Sequence, residues 1–262
     1  MGPAPDRPIQ SVAGGPVPRP IGPAQGRAFI DLHCHTRGSF DSLSDPQAVM
    51  RAAVNRGLTH LAITDHDRID EALRARDDAP PGLTVIVGSE LRTRDGDLIC
   101  LFLDRPIPTG LPAVDAIAAA RAQGAVVGIP HPFDRFRGSM LNDPRLEALA
   151  AQVDWVEGWN ARLIGGGNQR AAEFAHEHGL PSVAVSDAHS VLEVGIAYTV
   201  LDGDPSTPAG LLTALRSADI VQGRASYVAR VITPLAKLVQ RARGNGRVRP
   251  AAVDVEQGDM ER

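Results

Sequence analysis

The feature that most constrains this chain is a rhythm: short apolar runs alternate with longer helical stretches, and the runs end on histidines and carboxylates. Phe29–His33, His60–Thr64, Thr84–Val87, Ala125–Ile129, Asp154–Glu157 and Ser182–Val185 have the length and composition of buried strands. Helices are predicted between them, over Pro46–Asn55, Asp70–Arg76, Pro112–Ala122, Asp143 to about Ala151, and Asn168–His178. The first is bracketed by Asp45-Pro46, a capping side chain with an early proline, and by Gly57. A turn at Gly96-Asp97 and a strand at Leu98–Leu103 add a hairpin after Glu90. A strand at Ile196–Val200 and helices at Thr207–Ser217 and Tyr227–Ala242 complete the series. Such an alternation folds as a mostly parallel sheet or barrel with helices outside it.

No interior linker interrupts the rhythm, so one domain is expected over residues 28–243. The Pro- and Gly-rich leader, 1–27, and the tail, 244–262, have too few large apolar residues to offset the entropy of ordering and are expected to be disordered. A net charge of -4 gives no global basic field for membranes or for stable nucleic-acid binding. The basic residues of the last helix, Arg230, Lys237, Arg241 and Arg243, read as a solvated face. Cys34 and Cys100 form no disulfide framework, and no apolar run is long enough to span a bilayer. The expected compartment is the cytoplasm. Nothing in the sequence specifies an oligomeric state.

The ligand-type residues carry the functional signal. His33 and His35 follow the first strand, Asp65 and His66 the second, and Glu90 the third. His131 follows the strand at 125–129, Glu157 and Asn160 end the next, and Asp187 and His189 end the one after. In a parallel barrel these carboxyl ends converge on one rim. So many imidazoles and carboxylates in one pocket call for bound cations, and one tetrahedral zinc could not occupy them all. Two or three metals could. Cys34 alternates to the opposite face from its histidine neighbours and is expected to be buried and inert. His60 precedes its strand, and His176 and His178 close a polar helix, so none of the three belongs to the rim.

Asp31-Leu32-His33-Cys34-His35-Thr36, Thr64-Asp65-His66-Asp67, Gly88-Ser89-Glu90, Pro130-His131-Pro132 and Ser186-Asp187-Ala188-His189 together resemble the signature motifs of the PHP (polymerase and histidinol phosphatase) family. The resemblance implies a distorted (β/α)7 barrel with a metal cluster at its carboxyl rim. It implies that His33, His35, Glu90 and Asp187 hold one metal, and that Glu90 bridges to a second held by His131. Asp41, His66 and His189 would hold a third or serve the leaving group. The strand at 154–160 offers Glu157 and Asn160 where some relatives place another ligand, and the long insertion some relatives carry after Glu90 is absent. The chain is therefore most similar to small stand-alone PHP proteins.

The chemistry such a site favours is phosphoester hydrolysis of a small phosphorylated metabolite or nucleotide by a hydroxide shared between two metals. Zinc, manganese and iron all suit these ligands. Asp187 is the candidate proton acceptor, and His66 or His189 the candidate acid. Arg135, Arg137 and Arg162 lie beyond two strand ends as candidate phosphate clamps, Arg137 also as a catalytic group; Asn160 is a further substrate contact. Hydrolysis of a carboxyl ester or amide, and a non-catalytic metal-binding domain, are the competing readings.

Overall fold

The first strand, β1 (Arg27–Asp31), is buried along nearly its whole length and organises the sheet. It pairs in parallel with β2 (His60–Ile63) and antiparallel with β8 (Tyr198–Asp202). The other strands are β3 (Thr84–Arg92), β4 (Asp97–Leu101), β5 (Val126–Ile129), β6 (Trp155–Asn160), β7 (Ser182–Val185) and β9 (Asp219–Val221). In the computed structural model, which describes residues 26–135 and 144–248, they form one sheet in the order β7-β6-β5-β4-β3-β2-β1-β8-β9.

The sheet curls until β7 meets the end of β1. Cys34 bridges Ala188, and the His35 amide donates to Ala188 O at 2.8 Å. Asp31 staples the seam, accepting from the amides of Ser186 (3.0 Å) and Gly195 (3.2 Å). Burial lifts its carboxyl to about 6 even against those hydrogen bonds. The result is a nearly closed α/β barrel, distorted because β4 runs antiparallel to both β3 and β5. Strands β8 and β9 extend it beyond the seven barrel strands.

The helices are α1 (Pro46–Arg56), α2 (Asp70–Asp77), α3 (Ala113–Arg121), α4 (Pro144–Ala150), α5 (Gly167–Glu177), α6 (Pro208–Ala214) and α7 (Tyr227–Ala242). Asp45 caps α1 by accepting from the Ala48 amide, and Gly57 ends it at a left-handed φ of 81°. The pleat sorts the core into two layers. Ile30, Ala62, Ile86, Ile99, Trp155 and Val183 pack inside the barrel with Leu211 of α6. Leu61, Ile63, Val85 and Cys34 pack outward against Val49 and Met50 of α1 and Ala72 of α2. Each fully buried aliphatic side chain of this kind contributes about 1.5–3 kcal/mol.

Several boundaries shift by a few residues from expectation, and three larger departures stand out. β3 continues to Arg92, because the hairpin with β4 supplies partners beyond Val87, so Glu90 lies within a strand. β9, three residues long, is too short to show a period. The ordered contacts run past residue 243, since Asn245 and Arg247 both engage the barrel. Arg27, the last residue of the expected leader, already belongs to β1; the leader up to residue 25 and most of the expected tail lie outside the described residues. No helix among the described residues is long and apolar enough to cross a membrane.

Candidate metal centre

The barrel's carboxyl rim brings all eight expected ligands together. His33 Nε2 and His35 Nε2 lie 2.9 Å apart. Glu90 stands between the groups: Oε1 is 2.9 Å from His131 Nε2, and Oε2 is 3.3 Å from His33 Nε2, His35 Nε2 and His66 Nδ1. Asp187 Oδ1 is 3.8, 3.6 and 3.4 Å from nitrogens of His33, His35 and His189. Asp41 Oδ2 is 3.4 Å from both His66 Nε2 and His189 Nε2. His131 and Asp187 hold left-handed backbone, at φ 28° and 51°, which non-glycine residues rarely adopt and which tends to mark functional positions.

These side chains fit metal ions. Their donor atoms fall into three overlapping groups: His33, His35 and Glu90; His33, His131 and Asp187; and His35, Asp41, His66 and His189. Ligands about 2.1 Å from a tetrahedral ion lie roughly 3.4 Å apart, and most separations above are of that size. Asp41 Oδ1 and His66 Nδ1 are buried without a hydrogen-bond partner, an arrangement that costs stability unless a cation satisfies it.

The electrostatics agree. Burial opposes charge on His33, but the carboxylates of Glu157, Asp187 and Glu90 outweigh it and hold its pKa well above the usual range. Burial likewise opposes charge on Glu90 and Asp41, yet the neighbouring histidines hold both well below it. His66, also against burial, is raised to about 9 by Glu90 and Asp41. Without metal the cluster is balanced by protons on histidines, and metals would take their place. His189 behaves oppositely: burial pushes it down to about 4 despite Asp41, helped by His35 and Arg162. A neutral imidazole suits ligation, and the two candidate acids are thus shifted in opposite directions, His66 up and His189 down.

A surrounding layer fixes the ligands. Glu157 Oε1 takes His33 Nδ1 at 2.6 Å, and Ser39 Oγ takes His35 Nδ1 at 2.9 Å while donating to Asp65. Asp65 also accepts from the Thr36 amide (2.7 Å) and hydroxyl (2.6 Å), so it organises the loop after β1. Glu193 accepts from the His189 amide and from Ser190. Sequence reading gave Ser39 and Glu193 no role. A carboxylate or hydroxyl at variable distance from a histidine leaves no period or spacing to find it by.

Several expected substrate contacts have other partners. Arg162 is nearly buried, with Nη1 3.0 Å from Glu193 Oε1 and Nη2 2.7 Å from Thr233 Oγ1. Asn160 is fully buried; Nδ2 donates to Glu157 Oε2 (2.8 Å) and Asp187 Oδ2 (3.0 Å), and Oδ1 accepts from the Arg162 amide. Through these bonds it orients Glu157 and Asp187. Arg135 is exposed, and Arg137 lies outside the described residues. Trp159 donates to Gly223 O at 2.8 Å and so binds the segment before α7. Lys237 is exposed, as are Arg241 and Arg243, and its Nζ stands 5.4 Å from the centre of the Phe40 ring. Arg247 stands 5.3 Å from the same ring, which in turn lies 4.8 Å from that of His66. Cys34 is buried against the helices, and burial raises its thiol pKa well above the ordinary value. His60 contacts Ser206 away from the rim.

An α/β barrel that gathers five histidines and three carboxylates at one rim defines a metal-dependent hydrolase class. The PHP domain model matches residues 31–129 and the PHP-associated model residues 165–220. The chain is 34% identical over 147 residues to an uncharacterised protein of Methanocaldococcus jannaschii, covering 50% of this chain and 81% of that one. A second uncharacterised protein of that organism is 32% identical over 173 residues, covering 64% of this chain and 68% of its own length. The chain belongs to the PHP family. Among solved structures, a two-domain protein of Bacteroides vulgatus containing a predicted PHP-like metal-dependent phosphoesterase superposes with a TM-score of 0.64 at 22% identity, over 75% of this chain and 65% of that one. The lesion-specific endonuclease Q of Pyrococcus furiosus gives 0.58 at 16% identity, over 74% and 57%. An amidohydrolase of Chromobacterium violaceum with bound sulfate gives 0.53 at 17%, over 74% and 97%. At these identities the three structures show the fold alone.

Proposed function

We propose that this protein is a metal-dependent phosphoesterase acting on a small phosphorylated metabolite or nucleotide. The observation that carries the reading is Glu90, whose two oxygens face different histidines in overlapping donor groups. That is the position of a carboxylate shared between ions. His33, His35, Glu90 and Asp187 would hold the first metal, Glu90 and His131 the second, and Asp41, His66 and His189 the third. Bound divalent ions at such a site supply Lewis acidity toward phosphoryl oxygens and lower the pKa of water. Zinc, manganese and iron are the candidates.

The chain's own residues do the rest. Asp187, steadied at Oδ2 by Asn160, is placed to accept a proton beside His33 and His35. His66, at the open side against Phe40, would serve the leaving oxygen only in a two-metal form of the site, since a third ion would take its nitrogen. Substrate anions would meet the cations beside Phe40, Lys237 and Arg247, with Arg135 a further candidate. The phosphoesterase description of the Bacteroides protein supports this choice. The amidohydrolase and endonuclease neighbours make amide and DNA bonds the competitors to be tested beside it.

The test is a hydrolysis panel with phosphomonoesters, phosphodiesters, carboxyl esters, cyclic amides and lesion-bearing DNA, each with manganese, zinc or iron. Wild type is compared with His33→Ala. Metal-dependent turnover of a small phosphoester, abolished in His33→Ala, is expected. Turnover confined to amides, or unchanged by the substitution, would overturn the reading.

A further inference from the structure

The C-terminal helix reaches the third donor group through a single loop. Residues 37–42 carry Ser39, Phe40 and Asp41, and their carbonyls are gripped from outside. Gln240 of α7 is 2% exposed, and its Nε2 lies 2.7 Å from Arg37 O, 2.9 Å from Ser39 O and 2.7 Å from Ser42 O. Asn245 adds Nδ2 at 3.1 Å from Arg37 O and 3.2 Å from Gly38 O, while its Oδ1 accepts from Arg68 at 3.2 Å. The Asn245 amide bonds Gln240 O at 2.9 Å, so the two side chains act as one clamp. A carboxamide nitrogen has two hydrogens, and three carbonyls converge on that of Gln240.

What the clamp holds is part of the cluster. Ser39 Oγ bonds His35 Nδ1 and accepts from the His66 amide at 3.0 Å. Asp41 reaches His66 and His189 with one oxygen and leaves the other without a hydrogen-bond partner. The remaining ligands depend on other supports: His33 and His131 on Glu157, and Asp187 on Asn160. Neither family match extends to α7, so the clamp lies outside the matched regions.

We propose that Gln240 and Asn245 are positioning residues for the Asp41–His66–His189 metal position, and that docking of α7 and filling of that position are linked. Linkage is reciprocal: whatever the docked helix adds to metal affinity at that position, the metal adds to docking. The inference rests on the third-metal assignment proposed above. Amides that served only to pack a helix would set stability and leave metal affinity alone.

The test uses full-length protein stripped with chelator and titrated with manganese by calorimetry. Asp41→Ala identifies the third equivalent by abolishing it. Gln240→Met keeps length without donors, and with Asn245→Ala it is expected to weaken that same equivalent at least about tenfold, the equivalent that uses His35 by less, and the one at Glu90 and His131 by no more than about twofold. Gln240→Lys, whose ammonium offers donors to the same carbonyls, is expected to restore much of the loss. Metal should also slow amide exchange in α7 of wild type but not of Asp41→Ala. If Asp41→Ala changes no equivalent, the third-metal assignment fails and the inference with it. If Asp41→Ala abolishes one but the Gln240→Met/Asn245→Ala pair binds as wild type, or weakens all equivalents together, the inference alone is overturned.

Discussion

Glu157 Oε1 lies 2.6 Å from His33 Nδ1, and Glu157 Oε2 accepts from the backbone N–H of His131 at 2.8 Å. One buried carboxylate on β6 thus holds two candidate ligands that follow β1 and β5, strands that are not adjacent in the sheet. A carboxylate at Nδ1 keeps the proton there and leaves the Nε2 lone pair for a metal. Glu157 accepts three donors in all, counting Asn160 Nδ2, whereas a glutamine would offer one acceptor oxygen and two hydrogens. Glu157→Gln is therefore expected to weaken metal binding about 10–100-fold with the fold intact. Equilibrium dialysis against a competing chelator measures it, and wild-type affinity in the variant would remove Glu157 from the centre.

The Arg162–Glu193 pair makes a different prediction from a phosphate clamp. Both side chains are nearly out of solvent, with contacts of 3.0 and 3.2 Å, and Glu193 also bonds the His189 amide. Removing the guanidinium leaves a buried charge, at a cost of about 3–5 kcal/mol. For a chain of this size that is a Tm lowered by roughly 6–20 °C. Arg162→Ala should lose stability first, and a combined Arg162→Met/Glu193→Gln variant should regain much of it. An Arg162→Ala protein of unchanged Tm but raised KM would return Arg162 to the substrate.

Apart from Asp41, which only the family resemblance singled out, the ligands were legible because each follows an apolar run, and a strand's end is visible in sequence as the place where apolar alternation stops. His33 and His35 add a two-residue spacing that puts both on one face. The supports were not legible for a physical reason. Glu157 looked like another ligand because its residue type and position suit either role, and only the 2.6 Å contact with Nδ1 decides. Arg162 looked like an open cation because its partner, Glu193, is 31 residues away in an unpatterned loop. Gln240 sits on an amphipathic helix whose basic residues read as a solvated face, and Asn245 falls in the expected tail, yet both close contacts about 200 residues back along the chain. Long-range polar pairing of this kind leaves no local period. The barrel itself was clearer than its edges: β9 and the extension of β3 exist only through pairing with β8 and β4.

Gly128 tests the barrel interior. A Cβ built there would meet the Trp155 ring at 2.2–2.5 Å, closer than any real contact, and Trp155 is fully buried on the adjacent strand. Trp155 Nε1 has no hydrogen-bond partner among the described residues, so the indole acts there through packing. Gly128→Ala should cost about 1–3 kcal/mol or more by overpacking. Pairing it with Trp155→Leu should return part of the loss. Chemical denaturation of the three proteins checks this, and additive effects in the double variant would count against the contact.

Asp97 gives a pH signature. It is buried beside the cluster, Oδ1 lacks a hydrogen-bond partner, and Arg247 approaches only to 3.8 Å. Burial, and then the charge of Glu90, raise its carboxyl from 3.8 to about 6. A folded pKa above the unfolded one means that its contribution to stability is full below about 4 and is lost as pH rises through about 6. Asp97→Asn cannot ionise and should not show that loss. In metal-free protein its stability relative to wild type should therefore improve between pH 4 and pH 8, by on the order of 1–3 kcal/mol. Metals at Glu90 would offset the carboxylate's charge and shrink the difference. Urea denaturation of both proteins at the two pH values, with and without manganese, reads it out. A difference between variant and wild type that does not change with pH would show that Asp97 ionises freely in the fold.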